Sequence, residues 1–394
     1  MVQATEVAGN KAMNLLDSCQ RIVIKLGTSV VTGAFGSVER GRLDFIVRDV
    51  ANLRESGREC LLVSSGAVGL GRKLLNQHER NDLALRQACA SVGQNLLMTT
   101  YQKLFATYGL TVGQVLVTSD DLADRTRYLN LRAMLSELLA LGVVPIMNEN
   151  DSVSTMELQE HGREKIFGDN DKLSALVASK LGADALILLT DVDGVYDRNP
   201  RTTRGARKIR RIEDLDELKT IDPTGKSLHG RGGIKSKLKA VQLASMSGVV
   251  SVIASGFQED VISLLFSPEG EDVGTYIMPR KKLSARRQWI GFSSGVEGSL
   301  TINQGAQQAL EESMASLLSV GIMEARGQFS AGQVVSIQNE AGIEIGRGIV
   351  SYSSEEIGKV TGRKSSEMAK LLQRPGPQEI VHRDRLIVFR EKVS

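Results

Sequence analysis

Ile22-Val23-Ile24-Lys25-Leu26-Gly27-Thr28-Ser29 is the stretch on which the fold turns: a short apolar, β-branched run that ends on a lysine, a glycine and two hydroxyl side chains. Runs of similar length, bounded by Gly, Ser, Asn or Asp, recur at Cys60 to Val63, Gln114 to Val117, Val143 to Met147 and Ala185 to Leu189. Each is expected to be a buried strand. Between them the apolar spacing becomes helical. Leu43, Ile46, Val47, Val50 and Leu53 form one stripe, which Ser56-Gly57 should end, and Leu173, Leu176, Val177 and Leu181 form another. Strand and helix alternating at this interval imply right-handed βαβ units, hence an α/β fold with a mostly parallel sheet sandwiched by helices. In such sheets ligands gather beyond the carboxyl ends of the strands, so the residues just after each run carry the chemistry.

Outward from this core, 394 residues exceed the usual length of one domain, so two are expected. The basic, Pro-containing stretch from Pro279 to Arg287 has no apolar stripe and reads as a linker. The expected layout is a tail over 1–20, a larger domain over 21–278, a linker over 279–288 and a smaller domain over 289–394. Met13 to Leu16 could form a short capping turn in the tail. In the smaller domain, Gly298 to Ile302, Val334 to Ile337, Gly346 to Val350 and Leu386 to Phe389 have the pattern of a small β-barrel, with Ser354 to Leu372 partly helical.

Forty-nine basic and forty-six acidic residues leave a net charge of +3, too little over this length to demand a nucleic acid or a membrane. Cys19, Cys60 and Cys89 are odd in number and contain no CxxC pair, which argues against a disulfide framework or a zinc site and suits a reducing cytoplasm. No signal-peptide core opens the chain, and no uncharged apolar run reaches membrane-spanning length. A cytoplasmic protein is expected.

The strand ends are informative. Lys25 is followed by Gly27, which lets backbone amides approach phosphate oxygens, while the lysine supplies a point charge; a surface lysine before a turn is the plain alternative. Ser64-Ser65-Gly66-Ala67 leads into a helix whose free amides suit an anion, or whose glycines merely permit tight packing. Asn148-Glu149-Asn150-Asp151 and Gly168-Asp169-Asn170-Asp171 bracket one loop and could fix an ammonium group, position lysines or hold Mg²⁺ through water; the second could also be a helix cap. Thr190-Asp191 ends the fifth run. Seven basic residues without an acid follow between Arg198 and Arg211, either a nucleotide-binding rim or, the preferred reading, a solvated hairpin. Gly230-Arg231-Gly232-Gly233-Ile234-Lys235-Ser236-Lys237 opens another apolar helix as a phosphate cradle. It is not a P-loop: Thr224-Gly225-Lys226-Ser227 imitates the end of one, but Thr220 stands where the leading glycine is required.

Taken in order, these segments closely resemble the glutamate 5-kinase group of the amino acid kinase family, and the residues after Trp289 resemble the PUA domain that many bacterial members append. The resemblance implies an enzyme that uses ATP and Mg²⁺ to phosphorylate the side-chain carboxylate of L-glutamate, giving γ-glutamyl phosphate, the first step toward proline. It implies that Lys25 and Lys237 stabilise the phosphoryl group in transit, that Asp171 orients both, and that Ser65, Asp151 and Asn170 hold glutamate. Lys25, Gly27, Thr190, Asp191, Gly232, Gly233, Ile234, Lys235, Ser236 and Lys237 would contact the nucleotide. No metal ligand is assigned. It further implies a homo-oligomer, dimer or tetramer, a γ-glutamyl phosphate reductase as partner, and proline as a feedback inhibitor acting at the loop from Ser152 to Phe167. That loop looks longer than in enterobacterial relatives, and Arg231 and Ile234 depart from the family's usual small hydroxyl residue and Met. Other amino acid kinases share the lysine and glycine turns, and an RNA-binding PUA regulator is the rival of a different class.

Overall fold

In a computed structural model of the chain, the described residues are 14–33, 36–77, 82–153, 170–200, 202–215, 234–279, 290–291, 296–313 and 315–389. They divide into two compact units, one taking 14–117, 132–153 and 170–279, the other 118–131 and 290–389.

The strands of the first unit are β1 (Arg21–Leu26), β2 (Glu59–Ser64), β3 (Val112–Val117), β4 (Val144–Glu149), β5 (Ala185–Thr190), β6 (Val195–Tyr196), β7 (Lys208–Ile209), β8 (Arg211–Ile212), β9 (Val250–Ser255) and β10 (Gly274–Ile277). Its larger sheet runs β3-β4-β2-β1-β5-β9-β10-β8. All pairings from β3 across to β9 are parallel, and only β10 turns antiparallel onto β9. The five expected strands are all present; four are extended by one or two residues, and β4 starts one residue later than expected and ends two later. From β1 the chain moves to β2 on one side, and later returns to β5 on the other. A crevice opens where connections diverge in this way, so the carboxyl ends of β1, β2 and β5 are the place for a ligand.

The helices are α1 (Thr28–Val31), α2 (Arg40–Glu55), α3 (Ala67–Leu74), α4 (Leu83–Ala106), α5 (Ser119–Ala123), α6 (Arg125–Ala140), α7 (Asn170–Leu181), α8 (Ile234–Met246) and α9 (Val261–Leu265), of which α5 and the first half of α6 belong to the second unit. The stripe expected on α2 is buried along its whole length. The helix stops at Ser56, after which Gly57 takes a φ of 85° that only glycine adopts without strain. Together with Ile22, Ile24 and Leu26 of β1, these residues form the main core, and Leu16 and Cys19 join it. The chain before β1 is thus tied in from Asn14, whose amide nitrogen reaches the carbonyl oxygen of Leu265 at 2.9 Å.

The basic stretch after β5 is a hairpin, β6 pairing antiparallel with β7. Lys208 pairs with Asp193, Arg210 with Asp272, and Arg211 with Glu213 and Glu271. Acids from neighbouring segments therefore neutralise the end of the run.

The second unit carries β11 (Ser299–Ile302), β12 (Leu317–Leu318), β13 (Ile322–Arg326), β14 (Val334–Gln338), β15 (Glu344–Val350) and β16 (Glu379–Val388), ordered β12-β16-β15-β14-β11-β13. The sheet is curled into the small barrel expected, a half-barrel with β12 and β13 at its two ends among the described residues. Leu300, Ile302, Val335, Ile337, Val350, Tyr352 and Ile380 fill its own core. Ser354–Val360 and Ser365–Leu371 are helical, and Ser353 and Glu356 close a reciprocal cap on the first of them.

Candidate active site

Two lysines distant in sequence meet on one carboxylate. Lys25, at the penultimate position of β1, places Nζ 2.5 Å from Asp171 Oδ1, and Lys237, in the first turn of α8, places Nζ 3.4 Å from Asp171 Oδ2. The three side chains are 8%, 7% and 1% exposed. Asp171 stands in the first turn of α7, where the helix dipole favours a negative charge. Burial by itself would push its carboxyl up; the two ammonium groups, by charge and by hydrogen bond, outweigh that and hold it below the usual carboxylate range. The triangle carries a net positive charge in a dry setting. Fixed charge of that kind, at the end of a parallel sheet, suits a phosphoryl group that gains negative charge in transit.

One residue earlier, Asn170 turns toward β2 and β4. Its amide nitrogen lies 2.9 Å from Ser65 Oγ, 2.9 Å from Asn148 Oδ1 and 3.2 Å from the Ser64 carbonyl oxygen. Ser64 is itself locked to the Tyr101 hydroxyl of α4 at 2.8 Å. The turn after β2 depends on Gly66, which caps α3 with a φ of 105°. Asp151 lies in the turn that follows β4, three residues beyond Asn148.

On the other flank, Thr190 ends β5, buried, with its hydroxyl 3.0 Å from Asp191 Oδ1. Gly27 donates to the Leu189 carbonyl oxygen at 3.0 Å, and a Cβ placed on it would lie 3.8 Å from Lys25 Nζ. A bare backbone beside the ammonium leaves room for an oxyanion. Ile234, Lys235, Ser236 and Lys237 form the first turn of α8, whereas Gly232 and Gly233 lie outside the described residues, as do Gly168 and Asp169.

The structure thus brings together Lys25, Lys237 and Asp171 on one side, and Ser65 and Asn170 on the other, joined by the single peptide bond between Asn170 and Asp171. Asn148 belongs to the second group, although no ligand-holding role is expected of it individually. Gln94 of α4, which hydrogen-bonds Asn148 at 2.9 Å, was not singled out at all. A glutamine inside a long helix carries no local signal of function.

Known proteins are similar to this chain. The sequence profile of the amino acid kinase family matches residues 20–255, and that of the PUA domain matches residues 298–372. A glutamate 5-kinase from Caldanaerobacter subterraneus subsp. tengcongensis is 41% identical over 372 residues, 94% of this chain and 98% of its own length. One from Gloeobacter violaceus is 43% identical over 374 residues, 93% and 99% of the two chains. One from Thermus thermophilus is 41% identical over 375 residues, 95% and 98%. Since the matched span runs from just before β1 to the end of β9 and encloses both lysines and the aspartate between them, this chain belongs to the amino acid kinase family.

Proposed function

We propose that this chain is a glutamate 5-kinase, which transfers the γ-phosphoryl group of ATP to the side-chain carboxylate of L-glutamate and releases γ-glutamyl phosphate and ADP, opening the route to proline. The observation that carries the reading is the pair of ammonium groups held on the two oxygens of one buried carboxylate, beside an amide-lined turn. Near-full-length likeness to glutamate 5-kinases supports the choice of acceptor.

The acceptor carboxylate is already ionised at neutral pH, so the reaction needs no general base. Its demands are alignment and charge. Ser65, Asp151 and Asn170 would hold the amino acid. Lys25 and Lys237 would stabilise the phosphoryl oxygens as the bond to ADP breaks and the bond to the carboxylate oxygen forms, with Asp171 keeping both ammonium groups pointed inward. Gly27, Thr190, Asp191 and the turn from Gly232 to Ser236 would line the nucleotide. Alignment alone can supply roughly 7–11 kcal/mol. Among the described residues no group of three or more His, Cys, Asp or Glu could hold a metal. Mg²⁺ needs only one or two carboxylates beside substrate phosphates, so we read it as entering on the triphosphate.

The test is incubation with ATP, Mg²⁺, hydroxylamine and, separately, glutamate, N-acetylglutamate or aspartate. Hydroxamate should form with glutamate; formation with another acceptor in its place rejects the reading. The same assay with proline added tests feedback inhibition, although the loop expected to sense it lies almost wholly outside the described residues. The reading carries with it a homo-oligomer and a reductase that consumes the product.

A further inference from the structure

The amide groups behind the turn from Ser64 to Ala67, the acceptor turn of the proposed function, form a relay that ends on Gln94. This residue lies in the middle of α4, 7% exposed, and its Oε1 accepts a 2.9 Å hydrogen bond from Asn148 Nδ2. The direction of that bond is forced. Asn148 Oδ1 accepts the backbone N–H of Glu149 at 2.9 Å, and a backbone N–H can only donate. The oxygen of Asn148 therefore faces its own strand and Asn170, and its nitrogen faces α4. Gln94 must answer with oxygen, which leaves its Nε2 buried with no partner among the described residues. Asn170 Oδ1, at the far end, is buried and unpartnered in the same sense.

Native proteins leave few buried polar atoms unpaired, and each one calls for an explanation. Here the orphan donor follows from keeping the whole relay pointed one way, so that Asn170 Nδ2 donates to Ser65 Oγ. Gln94 is well placed to enforce that direction. The residue before it, Gly93, lets α4 touch the acceptor turn: a Cβ there would fall 1.8 Å from the Ala67 carbonyl oxygen, two residues after Ser65. Backbone contact on one side and the Asn148 bond on the other fix Gln94 relative to the site.

We infer that Gln94 is a positioning residue for the carboxylate acceptor, holding the Asn170 amide on Ser65 through Asn148. Its hydrogen bond to Asn148 lies on the acceptor side. The inference rests on the proposed function for the identity of the acceptor, but not for its test, because the comparison is made with whichever carboxylate the wild-type protein turns over.

Gln94→Met keeps the side-chain length and removes the acceptor oxygen. The KM for the acceptor should rise about 10-fold, the loss expected when a buried partner is left unpaired, with kcat and the KM for ATP within about 2-fold of wild type. Gln94→Glu keeps an oxygen facing Asn148 and should return the acceptor KM to within about 3-fold of wild type. Should Gln94→Met fail to fold, Gln94→Leu takes its place. An unchanged acceptor KM in the apolar variant, an equal rise in the KM for ATP, or a Gln94→Glu enzyme as impaired as the apolar one would each overturn the assignment. Failure of the wild type on glutamate with turnover of another acceptor would reject only the earlier reading.

Discussion

Asp171 is the residue on which the charge balance of the site depends. Its folded pKa lies below the ordinary 3.8, so its stabilising contribution is complete above that value and is lost as pH falls through the lower folded value. Asp171→Asn leaves two buried ammonium groups facing each other and should cost about 3–5 kcal/mol. Urea unfolding of wild type and variant should show that gap constant above about pH 5 and closing below about pH 4; a gap that widens in acid would contradict the sign. Lys237→Ala should lower turnover about 100-fold or more at saturating substrates, the scale of losing one preorganised donor, and near-normal turnover would remove Lys237 from the catalytic set. Lys25 and Lys237 are legible in the sequence because each stands where an apolar run meets glycine. Gln94 is not, since its meaning comes from a strand tip 54 positions away.

Among elements, the pair α3 and α4 sets the turn from Ser64 to Ala67. Their backbones approach through Gly71 and Gly93, where an added Cβ would fall 1.8 Å from the carbonyl oxygens of Cys89 and Ala67. Neither oxygen belongs to a flexible side chain, so the helices would have to part. Gly93→Ala should therefore destabilise by at least about 1–3 kcal/mol, read from the denaturant midpoint, and should raise the acceptor KM as the start of α3 shifts. Unchanged stability would mean that the two helices can separate freely. Helix α2 is legible because one apolar stripe faces one core. Helix α4 was not delineated: it buries Cys89, Ala90, Gly93, Gln94, Leu97, Thr100, Tyr101 and Phe105, small and polar residues among large ones, so no clean stripe marks its inner face. Strand β9 reads Val-Ser-Val-Ile-Ala-Ser, its apolar run interrupted by Ser251, and β10 has only four residues, so neither forms a clear buried run in the sequence.

At the scale of the molecule, the three cysteines are free and buried. Burial pushes the Cys19 thiol up to about 11 and the Cys60 thiol up to about 12. The folded protein therefore prefers neutral thiols: their contribution to stability is complete below the unfolded value of 9.0 and is lost as pH rises through the folded values. A thiol-specific disulfide reagent at pH 8 should label the native protein at least roughly 100-fold more slowly than the urea-unfolded chain, from the pKa difference of Cys19 alone. Fast labelling without denaturant would mean that these cores open locally. The half-barrel of the second unit was legible only in part. Between Glu379 and Arg385, β16 carries five charged or imidazole side chains, and alternation is lost where the strand is longest.

Asn170 and Asp171 are neighbours in the chain, yet one reaches toward Ser65 and the other toward two cations. A single rigid peptide plane links them. A tilt of the start of α7 that lifted the amide from the serine would also shift the carboxylate against the lysines, so a ligand on one side would be felt on the other.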